Sequence, residues 1–335
     1  MVVSDELFAP KRDRVLEFCD RIAQYHIKWA VQLRVCDVDE EMLRIMRDSG
    51  CISISYGIES ADDRILSSMV KKITLAQVEK ALKLTYDVGI DIQGGLIFGD
   101  AEETKESVAS SLKWYDERRH YALDLNMIHI FPGTVLYKNA LVRGILKDPV
   151  KFLTDGCPLI NVSRLTDSEY RDLSSNLYER NMRAKYEPHQ YQVNDIKADG
   201  SCTTSVTCNR CAHTFTVPSD ALHIQRLSCA KCRQRYYVDP FRKLHLPAAL
   251  PDNNFSHDDH VVLWGAGELC IKLLDHYPVL QSDKFVAVDS SKSRQGYSVC
   301  GKPILTPEFI NEHRVKTVIL TVVRRKGEIL SLIHI

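Results

Sequence analysis

The sequence predicts an α/β protein: a parallel sheet flanked by helices, then a small cysteine-rich module, then a second, shorter αβ unit. Three observations lead there. Residues 11–146 alternate between strand-like and helix-like apolar periods. Two CxxC pairs, Cys208/Cys211 and Cys229/Cys232, stand seventeen residues apart. From Val261 a strand, a glycine turn, a helix and further strands begin a new series.

The elements follow in order. KRDRVLEFCDRIAQYH, residues 11–26, places Val15, Leu16, Phe18, Cys19, Ile22 and Ala23 on one helical stripe. KWAVQLRV, 28–35, reads as a strand. Asp39–Arg47 reads as a helix ended by Gly50, and ISISYGIES, 52–60, as the next strand. Asp62–Met69 is a short helix. Thr74–Val88 is a longer one, opened by the capping pair Thr74 and Gln77 and closed at Gly89. IDIQGGLIFGD, 90–100, is a strand, Thr104–Arg119 a helix and LDLNMIHI, 123–130, a strand. This βαβα rhythm predicts parallel strands with helices outside. Residues 138–146 and 167–184 read as helices, 186–201 as a linker, and the Pro/Asn-rich stretch 246–259 as a second linker.

With 335 residues the chain has room for two or three domains. Lys+Arg and Asp+Glu both number 44, so no global field favours nucleic acid or an anionic membrane. No apolar run is long enough to span a bilayer, and the N-terminus has no secretory apolar region. Eleven cysteines, mostly scattered singly apart from the two CxxC pairs, predict a reducing, cytoplasmic setting with a metal site.

The predicted strands share an unusual pattern. One face carries Trp29, Val31, Leu33 and Val35; Ile52, Ile54, Tyr56 and Ile58; Ile92, Leu96 and Phe98; Leu123, Leu125 and Met127. The other carries Ala30, Gln32 and Arg34; Ser53, Ser55, Gly57 and Glu59; Gln93, Gly95, Ile97 and Gly99; Asp124, Asn126 and Ile128. A closed barrel fills its inner face with bulky aliphatics. A small, polar inner face predicts a partly open lumen that holds a ligand; mutual pairing of these groups as buried structure is the competing reading.

Here the sequence resembles a family. DELFA, LRVCDVDEEMLRIMRDSGC, ISYGIES and DVGIDIQGGLIFGDAEET, in that order within residues 1–150, resemble the core of radical S-adenosylmethionine (SAM) enzymes, closest to the subgroup with a cobalamin-binding domain. The resemblance implies a partial (β/α)6 barrel. It also implies a [4Fe-4S] cluster that reduces SAM to release a 5′-deoxyadenosyl radical, and an electron donor such as flavodoxin or ferredoxin. It places Ser55, Gly57 and Glu59 against the ribose and methionine parts of SAM, and Arg34 on its carboxylate. Gln93, Gly95 and Gly99 fall on the adenine-supporting strand, and Asn126 on the next inner face. The expected substrate is a small metabolite modified at an unactivated carbon, with methyl transfer where cobalamin is present. No membrane partner is expected.

One departure accompanies the resemblance. The family's CxxxCxxC cluster loop has no counterpart here, and Cys19, Cys36 and Cys51 are far apart. The chain therefore reads as a fragment lacking the first two barrel strands and the cluster ligands, inactive alone. The final LSLIHI, residues 330–335, reads as a translated sequencing adapter.

Cys208, Cys211, Cys229 and Cys232 have the CxxC-x17-CxxC spacing of a zinc ribbon, residues 201–240, with a rubredoxin-like iron site as the alternative. Arg210, Lys231, Arg233 and Arg235, with Tyr236 and Tyr237, read either as a nucleic-acid face or as a solvated basic surface around the metal. The C-terminal unit, 258–329, carries Gly265-x-Gly267-x-x-Cys270 after a strand, and Asp289 ends the next strand. This is a Rossmann-like start for a nucleotide, with a purely structural role as the alternative. Residues 151–200 form a helical extension and linker. Two further readings compete: a zinc-ribbon nucleic-acid-binding or scaffolding protein without catalysis, and an NAD(P)-dependent oxidoreductase built on the C-terminal unit.

Overall fold

A computed structural model describes residues 1–3, 8, 11–183, 187–188, 190–197, 199–221, 223–240 and 260–321. The second linker, residues 322–329 of the C-terminal unit, the LSLIHI end and all of DELFA except Phe8 lie outside the described residues.

The first unit is a mixed α/β fold on a five-stranded parallel sheet, in the order β1 (Val2–Val3), β2 (Trp29–Leu33), β3 (Cys51–Glu59), β4 (Asp91–Phe98), β5 (Asp124–Met127). The helices α1 (Arg12–Ala23), α2 (Glu40–Asp48), α3 (Asp63–Ser68), α4 (Leu75–Val88) and α5 (Lys105–Glu117) connect the strands. Local chemistry sets their ends. Asp39 accepts from the Met42 amide to cap α2. Thr74 and Gln77 form the predicted capping box of α4, and Gly89, in the left-handed region at φ 86°, closes it.

One face of this sheet packs on the helices. Trp29, Val31, Leu33, Ile54, Tyr56, Ile58, Ile92, Leu96, Phe98 and Leu125 join Val15, Met42, Met46, Leu82 and Trp114 in one buried core. Phe8 seals its edge, 5.0 Å from Phe18, which is itself 5.0 Å from Trp29. The predicted α1 stripe is narrower than expected: Val15, Cys19 and Ile22 are buried, whereas Ala23 is exposed. A register shift opposite Trp29 and Ala30 inserts one extra residue at the start of β3.

After β5 come α6 (Val135–Val142), α7 (Pro149–Thr154) and α8 (Asp167–Met182). Helix α8 lies against β5, where the Asn181 side chain bonds both the amide and the carbonyl of Leu125. The stretch 186–201, expected as a linker, contains β6 (Gln190–Asn194), which pairs antiparallel with β7 (Ser201–Thr207). Its Tyr191 and Val193 alternate with Gln190 and Gln192, a two-residue period too short to stand out. β8 (Thr214–Asp220) completes that sheet, and β9 (Gln225–Ser228) with β10 (Arg235–Val238) forms a hairpin.

The C-terminal unit has five strands in the order β13-β14-β12-β11-β15, namely Ser298–Val299, Lys302–Leu305, Phe285–Val288, Val261–Trp264 and Thr317–Leu320. All are parallel except β13, which turns back on β14. Strands β13 and β14 were not anticipated; they are two and four residues long, and Pro303 interrupts the pattern. Helix α9 (Glu268–His276) follows β11, and α10 (Glu308–Glu312) precedes β15.

Candidate functional site

The face of the first sheet away from the helices carries small and polar groups across neighbouring strands. Gln32 stands beside Ser55, and Ser55 beside Gln93. Gly95 pairs with Asp124, and Ile97 with Asn126. Gln32 and Asn126 are exposed; Ser55, Gly57, Gln93 and Gly95 are half-buried. Gly95 permits a close approach: a Cβ there would lie 2.7 Å from the Asp124 carbonyl oxygen and 3.2 Å from Asn126 Nδ2. The structure thus brings Ser55, Gly57, Gln93, Gly95 and Asn126 onto one open surface rich in hydrogen-bonding groups.

Three other expected residues sit differently. Glu59 ends β3 with φ 65°, and its carboxylate accepts from Lys71 Nζ at 2.7 Å. It folds back over Gly57, whose added Cβ would meet Glu59 Oε1 at 3.1 Å. Arg34 is exposed and forks onto Asp37 at 2.7 and 3.0 Å. Gly99 is buried and turns away from the open face: at φ 100°, its Cβ position faces Tyr170 at 3.0 Å.

The turn after β4 holds two buried carboxylates that residue patterns alone did not single out. Asp100 accepts from Ser68 Oγ at 2.5 Å. Glu103, 1% exposed, accepts from Ser107 Oγ at 2.5 Å and from the Gly99 amide at 3.4 Å. Burial pushes the Glu103 carboxyl up to about 7, against those two donors. Their place in GDAEET, just past a strand end, was the available signal.

The four paired cysteines converge. Their Sγ atoms all lie within 4.8 Å of one another, with Cys208–Cys232 at 3.5 Å and Cys211–Cys229 at 3.6 Å. Ala212 and Arg233, directly after each CxxC, both have positive φ, 57° and 61°. Each donates its amide to the carbonyl of the first cysteine, at 2.9 and 3.0 Å, so the two knuckles are alike. A metal–thiolate bond of about 2.3 Å puts tetrahedral sulfurs about 3.8 Å apart, so this set fits one ion. Among the described residues it is the one grouping of three or more His, Cys, Asp or Glu with metal-holding geometry. The group is too tight for a [4Fe-4S] cubane, and no cysteines in the sequence have CxxxCxxC spacing. The residues present therefore do not fit that cluster.

The module's basic and aromatic residues divide, and Arg210, Arg235, Tyr236 and Tyr237 form neither a nucleic-acid face nor a solvated surface. Arg235 is 3% exposed and pairs with Asp91 at 2.5 Å. Arg210 stacks on Tyr86, 3.9 Å from the ring centre, and donates to the Tyr86 carbonyl. Gln234 Nε2 donates to the His120 carbonyl at 2.8 Å, and Tyr236 and Tyr237 are buried. Of the four cations only Lys231 is exposed; Arg233 is half-buried. These contacts fall at the starts of β4 and β5 and on the segments leading into them. The positive charge was legible in the sequence, but its partner Asp91 lies 144 positions away.

In the C-terminal unit Gly265 takes φ 106° and Gly267 precedes α9. Asp289 is already engaged: Oδ2 accepts from the Ala266 amide at 2.9 Å and Oδ1 from the Ser291 amide at 2.8 Å. The Ala266 carbonyl accepts from Arg294 at 2.5 Å, and the Glu268 carboxylate accepts from the Ile224 amide. The glycine turn is thus tied to its own neighbours. The buried Cys270 fills the third glycine's place within the core.

Comparison with known proteins identifies the first unit. Residues 5–115 match the family model described as "Radical SAM superfamily". That match agrees with the resemblance read from the motifs of this segment. The chain is 30% identical over 144 residues to the "Uncharacterized methyltransferase PH0819" of Pyrococcus horikoshii, covering 42% of this chain and 31% of that protein. It is 27% identical over 187 residues to the anaerobic magnesium-protoporphyrin IX monomethyl ester cyclase of Cereibacter sphaeroides, covering 53% and 30%. Among solved structures, the radical SAM methyltransferase TsrM of Kitasatospora setae aligns with TM-score 0.36 and 16% identity, over 42% of this chain and 28% of that one. The chain spans about a third of the length of the curated relatives it matches. Among the described residues, no helix is long and apolar enough to cross a membrane.

Proposed function

We propose that this chain is the SAM-holding part of a radical SAM enzyme, its first sheet an arc of the partial (β/α)6 barrel. The observation that carries the reading is the row of donors and glycines, Ser55, Gly57, Gln93, Gly95 and Asn126, on the open face of a sheet whose other face is packed. Ser55, Gln93 and Asn126 have the hydrogen-bonding chemistry that ribose and adenine require. Lys71 occupies Glu59 with an ammonium, the type of group that the methionine end of SAM would bring. Bound SAM would therefore displace Lys71.

A reduced [4Fe-4S] cluster would supply the radical when bound, and no cysteines of this chain have the CxxxCxxC spacing that would hold it. We favour methyl transfer to a small metabolite, on the methyltransferase naming of the P. horikoshii relative, with cobalamin and an electron donor as partners of the whole enzyme. We assign zinc to Cys208, Cys211, Cys229 and Cys232 in a ribbon-like module with a structural role. The Rossmann-like reading of the C-terminal unit rests on its parallel β14-β12-β11-β15 order.

Equilibrium dialysis with radiolabelled SAM tests the central claim. Saturable binding that is weakened by Gln93→Ala and by Asn126→Ala is expected. Binding that is absent, or indifferent to both substitutions, would end the proposal.

A further inference from the structure

A cavity of about 600 Å³ lies between the two αβ units, within the size range of small-molecule sites. Its walls come from three places: α8, the segment after α7, and the loop following β12. His129, two residues beyond the end of β5, also lines it, so the cavity reaches the C-terminal edge of the first sheet.

The seam beside it is fixed. The Ser298 amide donates to Ser175 Oγ at 3.1 Å, and the Cys300 amide to Glu179 Oε1 at 2.7 Å. Arg183 spans to Asp275 with two bonds of 3.1 Å. The cavity is therefore bounded by elements already joined to one another.

Its charge comes from one loop. Lys292, Ser293 and Arg294 are consecutive and all line it. Arg294 stacks on Tyr178 at 3.6 Å and gives one nitrogen to the Ala266 carbonyl, a neutral partner. The one lining carboxylate, Asp155, pairs directly with Lys151 at 2.7 Å and also feels the charge of Lys292, so the two lysines together outweigh it. Two cations and a hydroxyl on a short loop suit a phosphate: guanidinium and ammonium both recognise phosphate oxygens. The volume far exceeds that of a bare ion. Tyr178, Tyr297 and Leu159 offer mixed apolar and hydroxyl surface for an organic body.

We propose that this cavity binds a phosphorylated small metabolite, with Lys292, Ser293 and Arg294 on the phosphate and Tyr178, Tyr297 and Leu159 against the organic part. The site is separate from the glycine turn, where Asp289 is already engaged, and does not depend on the radical SAM reading.

Calorimetric titration of the full chain with glucose 6-phosphate, AMP, glucose and adenosine, at constant ionic strength, tests it. At least one phosphorylated probe should bind about tenfold or more tightly than its unphosphorylated counterpart. Lys292→Glu reverses an exposed charge, and Ser174→Tyr fills the cavity from α8; each should weaken that binding about tenfold or more while leaving the unliganded melting temperature unchanged. The proposal is overturned if neither phosphorylated probe binds, if the phosphate confers no preference, or if both variants bind like the parent. Loss of binding in Gly267→Ala with Lys292→Glu unaffected would instead move the site to the glycine turn.

Discussion

Arg235 Nη2 lies 2.5 Å from Asp91 Oδ2, and the two side chains are only 3% and 10% exposed. The pair joins the cysteine module to the start of β4, on the side of the sheet where Ser53 also meets Asp91 at 3.4 Å. Arg235 Nε and Nη1 and Asp91 Oδ1 have no partner among the described residues. One short bond thus offsets the desolvation of two ions, with little to spare.

Breaking one side of this pair should be costly. Asp91→Ala strands a buried guanidinium and is expected to lower unfolding free energy by about 3–5 kcal/mol in urea titrations. The double variant Asp91→Leu/Arg235→Met removes both charges and should recover most of that loss. A double variant as unstable as the single one would show that the charges themselves, not their desolvation, dominate.

Metal removal should be felt outside the module. The purified chain is expected to carry one zinc, lost on chelation and in Cys229→Ser. Because Arg210 and Arg235 anchor to Tyr86 and Asp91, amide hydrogen exchange across residues 86–91 should accelerate when the metal leaves. Unchanged exchange there would mean that the module holds its shape without metal.

Binding and folding should separate on the open face. Asn126 is exposed and Gln93 half-buried, so each alanine variant should weaken SAM binding severalfold with little change in melting temperature. Gly95→Ala should behave oppositely, destabilising the sheet, because its methyl would sit 2.7 Å from the Asp124 carbonyl. Calorimetric melting beside dialysis distinguishes the two.

Glu103 gives stability a pH slope. Its folded-state carboxyl titrates at about 7, above the ordinary value, because it is buried near Asp100 and Asp62. Between about pH 4.5 and pH 7 the folded chain keeps this proton and the unfolded chain gives it up, so stability falls as pH rises, by on the order of 3 kcal/mol. Glu103→Gln should flatten that part of the profile in parallel denaturation series. An unchanged slope would place the proton elsewhere.

Much of the first unit was legible because its signals are local. The capping box at Thr74 and Gln77, the stop at Gly89 and the alternating strand faces all act within a few residues. The thiolate group was legible for the same reason: each CxxC is a self-contained turn. What the sequence hid were meetings between distant residues, such as Arg235 with Asp91 and Arg294 with Ala266 and Tyr178. Asp289 is the instructive case. Its spacing from the glycine turn suggested a ribose ligand, yet the same spacing lets it bond the turn's own amides. Burial of the basic residues likewise follows from where the module docks, which no local period encodes.

Helix α8 is fastened on both sides, to Leu125 of β5 through Asn181 and to the C-terminal unit through Ser175, Glu179 and Arg183. A cut placed after it would leave the C-terminal sheet without the scaffold it leans on. Grafting that sheet onto another protein therefore requires taking residues 167–183 along with the strands from Val261 onward, and providing new partners for Glu268 and Lys272, which Ile224 and Asp239 of the cysteine-bearing segment now occupy.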